Sequence, residues 1–297
     1  FEADVCVYTS DKTYMHWGRG GQWSAKPSLS LPRGYTYDLL NSEVLTERLA
    51  VDGGELVLPD GMRYRLLVVD LDDANVPQEV LRKIADLANA GATVVLGRKR
   101  PERSVGLSDH AARDEKVRQL ATMLWGAANE KAAPCAVGKG RVVRGISLDE
   151  MLRSMRISPD FAGATWDYTH RRAGDADIYF MAGEGVADRV FRTQGKEPEL
   201  WNPVTGAVRN ADHWRATEDG RTSVSISLPK NGSIFVVFRK ATEAKSSKRA
   251  PATTASAPIE LSGPWQVCFA PGWGAPESTV FDRLVPWNTH PDQAVKY

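Results

Sequence analysis

Residues 34–45, GYTYDLLNSEVL, and 56–69, LVLPDGMRYRLLVV, decide the reading of the fold. The first predicts a short helix with an acidic cap. The second predicts a turn-linked pair of extended runs whose last part, residues 65–69 (RLLVV), is a buried strand. Three further runs share its character: residues 3–8 (ADVCVY), 93–96 (TVVL) and 141–145 (RVVRG) are apolar or β-branched and punctuated at their edges. These four strands should lie side by side. Between the second and third, Pro77 opens a helix that puts Val80, Leu81, Ile84, Leu87 and Ala88 on one face, and Gly91 stops it. A second helix is expected over 114–125, with Val117, Leu120, Ala121 and Leu124 on one stripe before Gly126. Ser147 and Glu150 have capping-box spacing and start a third. Parallel neighbours need a crossover, and a helix supplies it, so this order implies an open parallel sheet covered on both faces, of flavodoxin-like type.

After Pro159 the pattern changes to period two. Val224, Ile226 and Leu228 alternate with serines, which makes one face of that strand wet. Asn231-Gly232 then predicts a hairpin turn into SIFVVF, because such a turn needs positive φ. The expected organisation is therefore an α/β flavodoxin-like domain over 1–160, a small antiparallel β-sandwich over 161–240, a linker over 241–258 and the start of a further β domain over 259–297. The linker, ATEAKSSKRAPATTASAP, holds no large apolar residue and cannot offset the entropy of ordering itself. The chain opens at Phe1 and stops at Tyr297 inside that last domain, so it reads as a piece of something longer.

Composition excludes some functions. With 38 basic and 37 acidic residues the net charge is +1, which gives no electrostatic reason to expect nucleic acid or an anionic membrane. No apolar run reaches the roughly 20 residues that span a bilayer. Cys6, Cys135 and Cys268 show no CxxC spacing and are too few for a disulfide framework.

Hydrolysis by acid and base needs two carboxyl groups facing one substrate. Asp70, Asp72 and Asp73 are the best local cluster, at the strand end where open α/β sheets bind ligands. The ordinary alternative is a solvated loop whose acids favour the positive end of the following helix. A calcium loop of EF-hand type fails, since Asn75 and Leu81 stand where glycine and glutamate are required. A phosphoacceptor at Asp70, neutralised by Lys99, lacks the paired acids that would hold magnesium after the first strand. The stretch 17–23, WGRGGQW, has too few glycines for a nucleotide loop, but Trp17 and Trp23 could lie against a sugar ring. There is no GxSxG elbow, and five histidines scatter without metal-ligand spacing. His170, Arg171, Arg172, Asp175 and Asp177 form the densest polar group of the second domain, expected to pair across strands on its surface, with a sugar or a partner domain as the other reading.

Seven strings in order, GYTYDLLNSEVLTERL, LVLPDGMRYRLLVV, VLRKIADLANAGATVV, GKGRVV with ISLDEML, HRRAGDADIYF, FRTQGKEPELWNPVTG and NGSIFVVFRK, resemble the region that follows the barrel in glycoside hydrolase family 106, the α-L-rhamnosidases. PWQVCFAPGWGAP, residues 264–276, looks like the start of that family's galactose-binding-like sandwich. The resemblance implies inverting, calcium-assisted release of terminal α-L-rhamnose by an upstream (β/α)8 barrel, in a secreted or periplasmic bacterial enzyme. It also implies an amidotransferase-like first domain that is structural. No catalytic residue and no calcium ligand is thereby carried onto a position here, and no cofactor is expected in this segment. The partners it implies are a rhamnose-containing glycan and the barrel itself. Arg144 and the basic stretch LGRKRPERS depart from the family pattern. On these grounds the candidates for sugar contact are Trp17, Trp23, His170 and Arg171. The rival readings are a free-standing carbohydrate-binding module and a phosphate-sensing α/β domain.

Overall fold

Five parallel strands make the first sheet of the molecule. They are β1 (Val5–Tyr8), β2 (Tyr37–Leu40), β6 (Leu66–Val69), β7 (Thr93–Leu96) and β9 (Gly140–Arg144), and β8 (Cys135–Val137) closes the edge antiparallel to β9. The order is β2-β1-β6-β7-β9-β8, so the four strands expected side by side are adjacent. A small antiparallel sheet of β3 (Ala50–Asp52), β4 (Glu55–Val57) and β5 (Arg63–Tyr64) precedes β6. The computed structural model describes residues 1–10, 31–71, 73–126, 135–163, 166–247 and 259–296.

β1, β6 and β7 are buried at every position, as strands covered on both faces must be. Successive side chains point to opposite faces, and each face has its own core. Cys6, Tyr8, Leu67, Val69, Val94 and Leu96 pack on helices α1 (Gln78–Ala90) and α2 (His110–Trp125). Val5, Val7, Leu66, Val68, Val95 and Val143 pack on α3 (Leu148–Ser154). Burial of the Cys6 thiol raises its pKa, so it is an inert packing group rather than a nucleophile. The capping box of α3 forms as the spacing predicts: the Glu150 amide donates to Ser147 Oγ at 3.2 Å, and the Ser147 amide to Glu150 Oε2 at 3.1 Å. α2 begins at His110, four residues before its expected start. None of the helices among the described residues is long and apolar enough to cross a membrane.

The segment expected as an acidic-capped helix is different. Tyr37–Leu40 is a strand, paired in parallel with β1 from Val5↔Tyr37 to Tyr8↔Leu40. Helix begins only beyond Asn41, whose side chain accepts the Val44 amide at 2.8 Å, and is a single π-helical turn over Val44–Arg48. An edge of the sheet was open to the chain, and the hydrogen bonds of a whole strand outweigh the weak preference of a four-residue string.

The remainder of the first unit, Phe1–Ala250, is an antiparallel sheet of seven hydrogen-bonded strands. These are β10 (Phe161–Ala162), β11 (Asp167–Ala173), β12 (Ala176–Phe191), β13 (Lys196–Trp201), β14 (Val208–Asn210), β15 (Trp214–Ala216) and β16 (Thr222–Ala241). Asn231 has the positive φ of 57° that its sequence asks for, yet no hairpin forms there. Both halves of β16 pair with β12, from Phe191↔Thr222 through Gly185↔Leu228 and on from Gly183↔Gly232 to Asp177↔Phe238. Residues 229–231 are therefore a bulge in one long strand, opposite Glu184. The first residues of the expected linker are also pinned: the Thr242 amide donates to Gly195 O, and the Ser247 amide to Trp214 O, both at 2.9 Å. The rest, 248–258, lies outside the described residues.

The second unit, Pro251–Tyr297, contains a hairpin of β17 (Trp265–Cys268) and β18 (Ser278–Phe281), with Phe269 set edge-on to Trp287 at 5.1 Å.

Candidate functional site

β11 and β12 form a tight hairpin in which His170 faces Tyr179, and the two rings stack at 3.9 Å and 12°. The imidazole is buried, not on the surface where its polar neighbours suggested it would be. Its Nδ1 lies 3.1 Å from Asp160 Oδ1 and its Nε2 3.3 Å from Asp177 Oδ1. Ionised carboxylate oxygens only accept, so a ring that faces one at each nitrogen is best satisfied with hydrogen on both, as an imidazolium. Burial works against that charge, but the hydrogen bonds to Asp160 and Asp177 outweigh it and raise the His170 pKa above its usual 6.5.

Each acid is held further. Asp160 Oδ1 accepts the Tyr179 hydroxyl at 2.9 Å and faces Arg192 at 3.6 Å. Arg192 in turn donates to Asp4 Oδ1 and to the Ser158 carbonyl, both at 2.9 Å. Asp177 Oδ2 takes Lys196 at 2.8 Å, and Arg172 lies 3.4 Å from Oδ1. Although burial alone would raise it, these cations and His170 bring the Asp177 pKa down to about 2. The chain of charges runs from Asp4, one residue before β1, to the antiparallel sheet. It ties the two sheets of the first unit, helped by the Glu2 amide, which donates to the His170 carbonyl at 2.9 Å.

A cavity of about 520 Å³ opens on the same seam, lined by Arg33, Tyr35, Thr36, Trp166, Asp167 and Tyr168 among others. Much of its polar lining is already used. Tyr35 donates to Ile157 O at 2.7 Å, Thr36 to Glu2 O at 2.9 Å and Trp166 Nε1 to Glu184 O at 3.0 Å. The faces of Trp166 are used too: Arg189 lies 3.7 Å over the ring, and a Cβ on Gly183 would come within 2.3 Å of it. Gly34 is equally confined, with φ of 87° and room for a Cβ only 2.0 Å from the Phe161 carbonyl, so the backbones of the two layers touch here.

Asp70 and Asp73 follow the end of β6 that pairs with Tyr8, opposite the end of β1 that Asp4 precedes. Asp70 is buried at the end of β6, its amide donating to Tyr8 O at 2.9 Å. Asp73 Oδ1 accepts the Asn75 amide at 2.6 Å, a turn within the loop. Asp72, Trp17 and Trp23 lie outside the described residues. Arg171 is exposed on β11. Among the described residues, no group of three or more His, Cys, Asp and Glu could hold a metal ion. Asp4, Asp160 and Asp177 each face Arg, Lys or His, so the acids of the seam do not fit calcium. Sequence reasoning missed Asp160, Asp4 and Arg192, because nothing local links Asp4 to a partner 188 residues away.

Three findings place the chain among known proteins. Residues 2–215 match the α-L-rhamnosidase family, glycoside hydrolase 106. A rhamnosidase structure from Novosphingobium sp. PP1Y superposes with a TM-score of 0.78 and 31% identity over 99% of this chain and 28% of that one. A protein of Formosa agariphila that bears a provisional beta-glucuronidase name is 32% identical over 275 residues, 88% of this chain and 21% of its own length. The chain thus spans between a fifth and a third of these relatives. The family match, which covers well over half the chain, agrees with the mixed parallel and antiparallel architecture: this chain belongs to the α-L-rhamnosidase family, glycoside hydrolase family 106.

Proposed function

We propose that this chain is the bracing region of a glycosidase that releases terminal α-L-rhamnose with inversion, and that the catalytic carboxyl groups reside on an upstream (β/α)8 barrel. The parallel layer is then the flavodoxin-like, amidotransferase-like support of that barrel, and the second unit the start of a galactose-binding-like sandwich. A secreted or periplasmic enzyme acting on a rhamnose-containing glycan is part of the same reading. One observation carries it. A dense set of ionisable groups in the described residues, from Asp4 through Arg192, Asp160 and His170 to Asp177, pairs acid with base along its length and joins two sheets. A general acid or base must reach the substrate's proton directly or through one water. Groups engaged in this way hold structure.

The test is to assay the 297-residue chain and the longer enzyme on an aryl α-L-rhamnoside. Turnover is expected only in the longer enzyme. Robust hydrolysis by the 297-residue chain would overturn the reading. The name of the Formosa agariphila relative favours a second substrate class, so an aryl β-D-glucuronide belongs in the same assay. Cleavage of that substrate in preference to the rhamnoside would move the substrate and leave the bracing role in place.

A further inference from the structure

The wet face of β16 carries side chains whose hydrogen-bonding capacity is unspent. Val224 and Ile226 enter the core, so Ser223 and Ser225 point to the other side. Register sets their neighbours. Ser225 is opposite Asp188 on β12, and its amide donates to the carbonyl of His213 at 2.9 Å. Ser223 is opposite Arg215 on β15. Opposed residues in a sheet share a face, so three strands present two adjacent rows, one with carboxylate, hydroxyl and imidazole, the other with hydroxyl and guanidinium. Strand spacing and rise make this an area of about 10 by 7 Å. The residues line a cavity of about 200 Å³, backed by Ser247, whose Oγ accepts the Trp214 amide at 3.2 Å.

No side chain of the five, Asp188, His213, Arg215, Ser223 and Ser225, has a hydrogen-bond or ion-pair partner among the described residues. This is unlike the seam at His170, where each charged group from Asp4 to Asp177 has an oppositely charged neighbour, and the larger cavity, where three polar groups point back into the protein. The chemistry is mixed: an acceptor-only carboxylate, a donor-only guanidinium fork and hydroxyls that do both. Asp188 and Arg215 cancel in charge, so the patch has no net field to draw an anion. Adjacent ring hydroxyls, each both donor and acceptor, match such a set, and the volume suits one ring rather than a chain.

We propose that Asp188, His213, Arg215, Ser223 and Ser225 form a binding site for a single sugar residue with adjacent free hydroxyls. The choice of ligand class rests on the glycosidase reading above; the site itself rests on register and unspent polar groups. A ligand of about a dozen heavy atoms at ordinary efficiency gives a Kd of about 1 mM.

Titration of the isotope-labelled chain with methyl α-L-rhamnopyranoside, and separately with D-glucuronate and inorganic phosphate, tests this by amide chemical shifts. The expected result is saturable movement confined to the amides around 188, 213–215 and 223–225 for a sugar, weakened about tenfold by Asp188→Ala or Arg215→Ala. Both residues are exposed, so the fold should persist, and unchanged shifts elsewhere will report it. No movement at sugar concentrations about fiftyfold above that Kd, movement that survives both substitutions, or movement with phosphate alone would overturn the proposal. The two readings fail separately. Sugar binding here in an enzyme that cleaves neither glycoside would sink the glycosidase reading alone, whereas cleavage without these shifts would sink the site alone.

Discussion

The two sheets of the first unit are stabilised by different means. The parallel sheet is covered on both faces by helices of its own segment, and its strands β1, β6 and β7 bury only apolar or weakly polar side chains with Thr93. The antiparallel sheet buries an aromatic cluster, Phe161, Tyr179, Phe191 and Phe238, beside His170, Asp160 and Asp177. Apolar burial has no direction, so it gives stability without fixing orientation. Buried charges are costly unless their geometry is right. The seam thus fixes how one sheet meets the other, and makes that contact sensitive to pH.

The largest test of this difference is Asp160→Ala. One carboxylate oxygen of Asp160 serves His170, Tyr179 and Arg192, so its removal leaves the buried His170 and the half-buried Arg192 each with one partner fewer. A loss of about 3–5 kcal/mol is expected by denaturant unfolding near neutral pH. A loss below about 1 kcal/mol would mean that the seam is solvated in solution and that the contrast between the sheets is false.

The matching change in the other sheet is Leu67→Ala. Leu67 is fully buried between β1 and β7, against α1 and α2. The expected loss is about 3 kcal/mol from transfer and cavity. It should be the same at pH 5 and pH 8, because no group that titrates there depends on it. A pH-dependent loss would show that the two cores unfold as one and are not separately maintained.

The parallel layer was the more legible in sequence for the same physical reason. Continuous apolar runs and capped amphipathic helices are local signals, and β1, β6, β7, α1 and α3 stand where those signals put them. β2 was missed because Tyr-Asp-Leu-Leu becomes a strand only through its edge pairing with β1, which no local string encodes. In the antiparallel sheet the period-two pattern was legible where it was regular: Val224, Ile226 and Leu228 are buried as their alternation with serines predicts. Asn231-Gly232 correctly signalled positive φ but not the bulge, since a local turn preference cannot tell a hairpin from a bulge that lets both halves of β16 pair with β12. The candidate site was legible only in part: His170 and Asp177 were singled out together, but as surface groups, whereas Asp160 and the Asp4–Arg192 pair come from segments after α3, before β1 and after β12.

A third test uses pH. The His170 pKa is raised on folding, so its contribution is complete below about 6.5 and is lost as pH rises through the higher folded value. Asp177 is the reverse: its pKa falls from 3.8 to about 2, so its contribution is complete above 3.8 and disappears as pH drops toward 2. The seam should be firmest between these limits, from about pH 4 to 6.5. Asp177→Asn should cost about 2 kcal/mol at pH 5 and flatten the acid limb of the stability curve. His170→Gln should flatten the alkaline limb. Histidine NMR that shows a neutral ring at pH 6 would refute the doubly hydrogen-bonded imidazolium.

The smallest effect sharpens the comparison most. Ser147 caps α3 with its side chain, and removing the hydroxyl frees the Glu150 amide at the helix start. Ser147→Ala should therefore cost about 1 kcal/mol. α3 packs on the parallel sheet, yet the chain passes from its end to Asp160 within six residues. If the helix belongs energetically to the parallel layer alone, Ser147→Ala and Asp160→Ala should add to within about 0.5 kcal/mol in the double variant. A larger departure, measured by the same unfolding experiment, would show that the seam holds the end of α3 as well. The boundary between an apolar layer and a charged one would then lie at the start of that helix rather than after it.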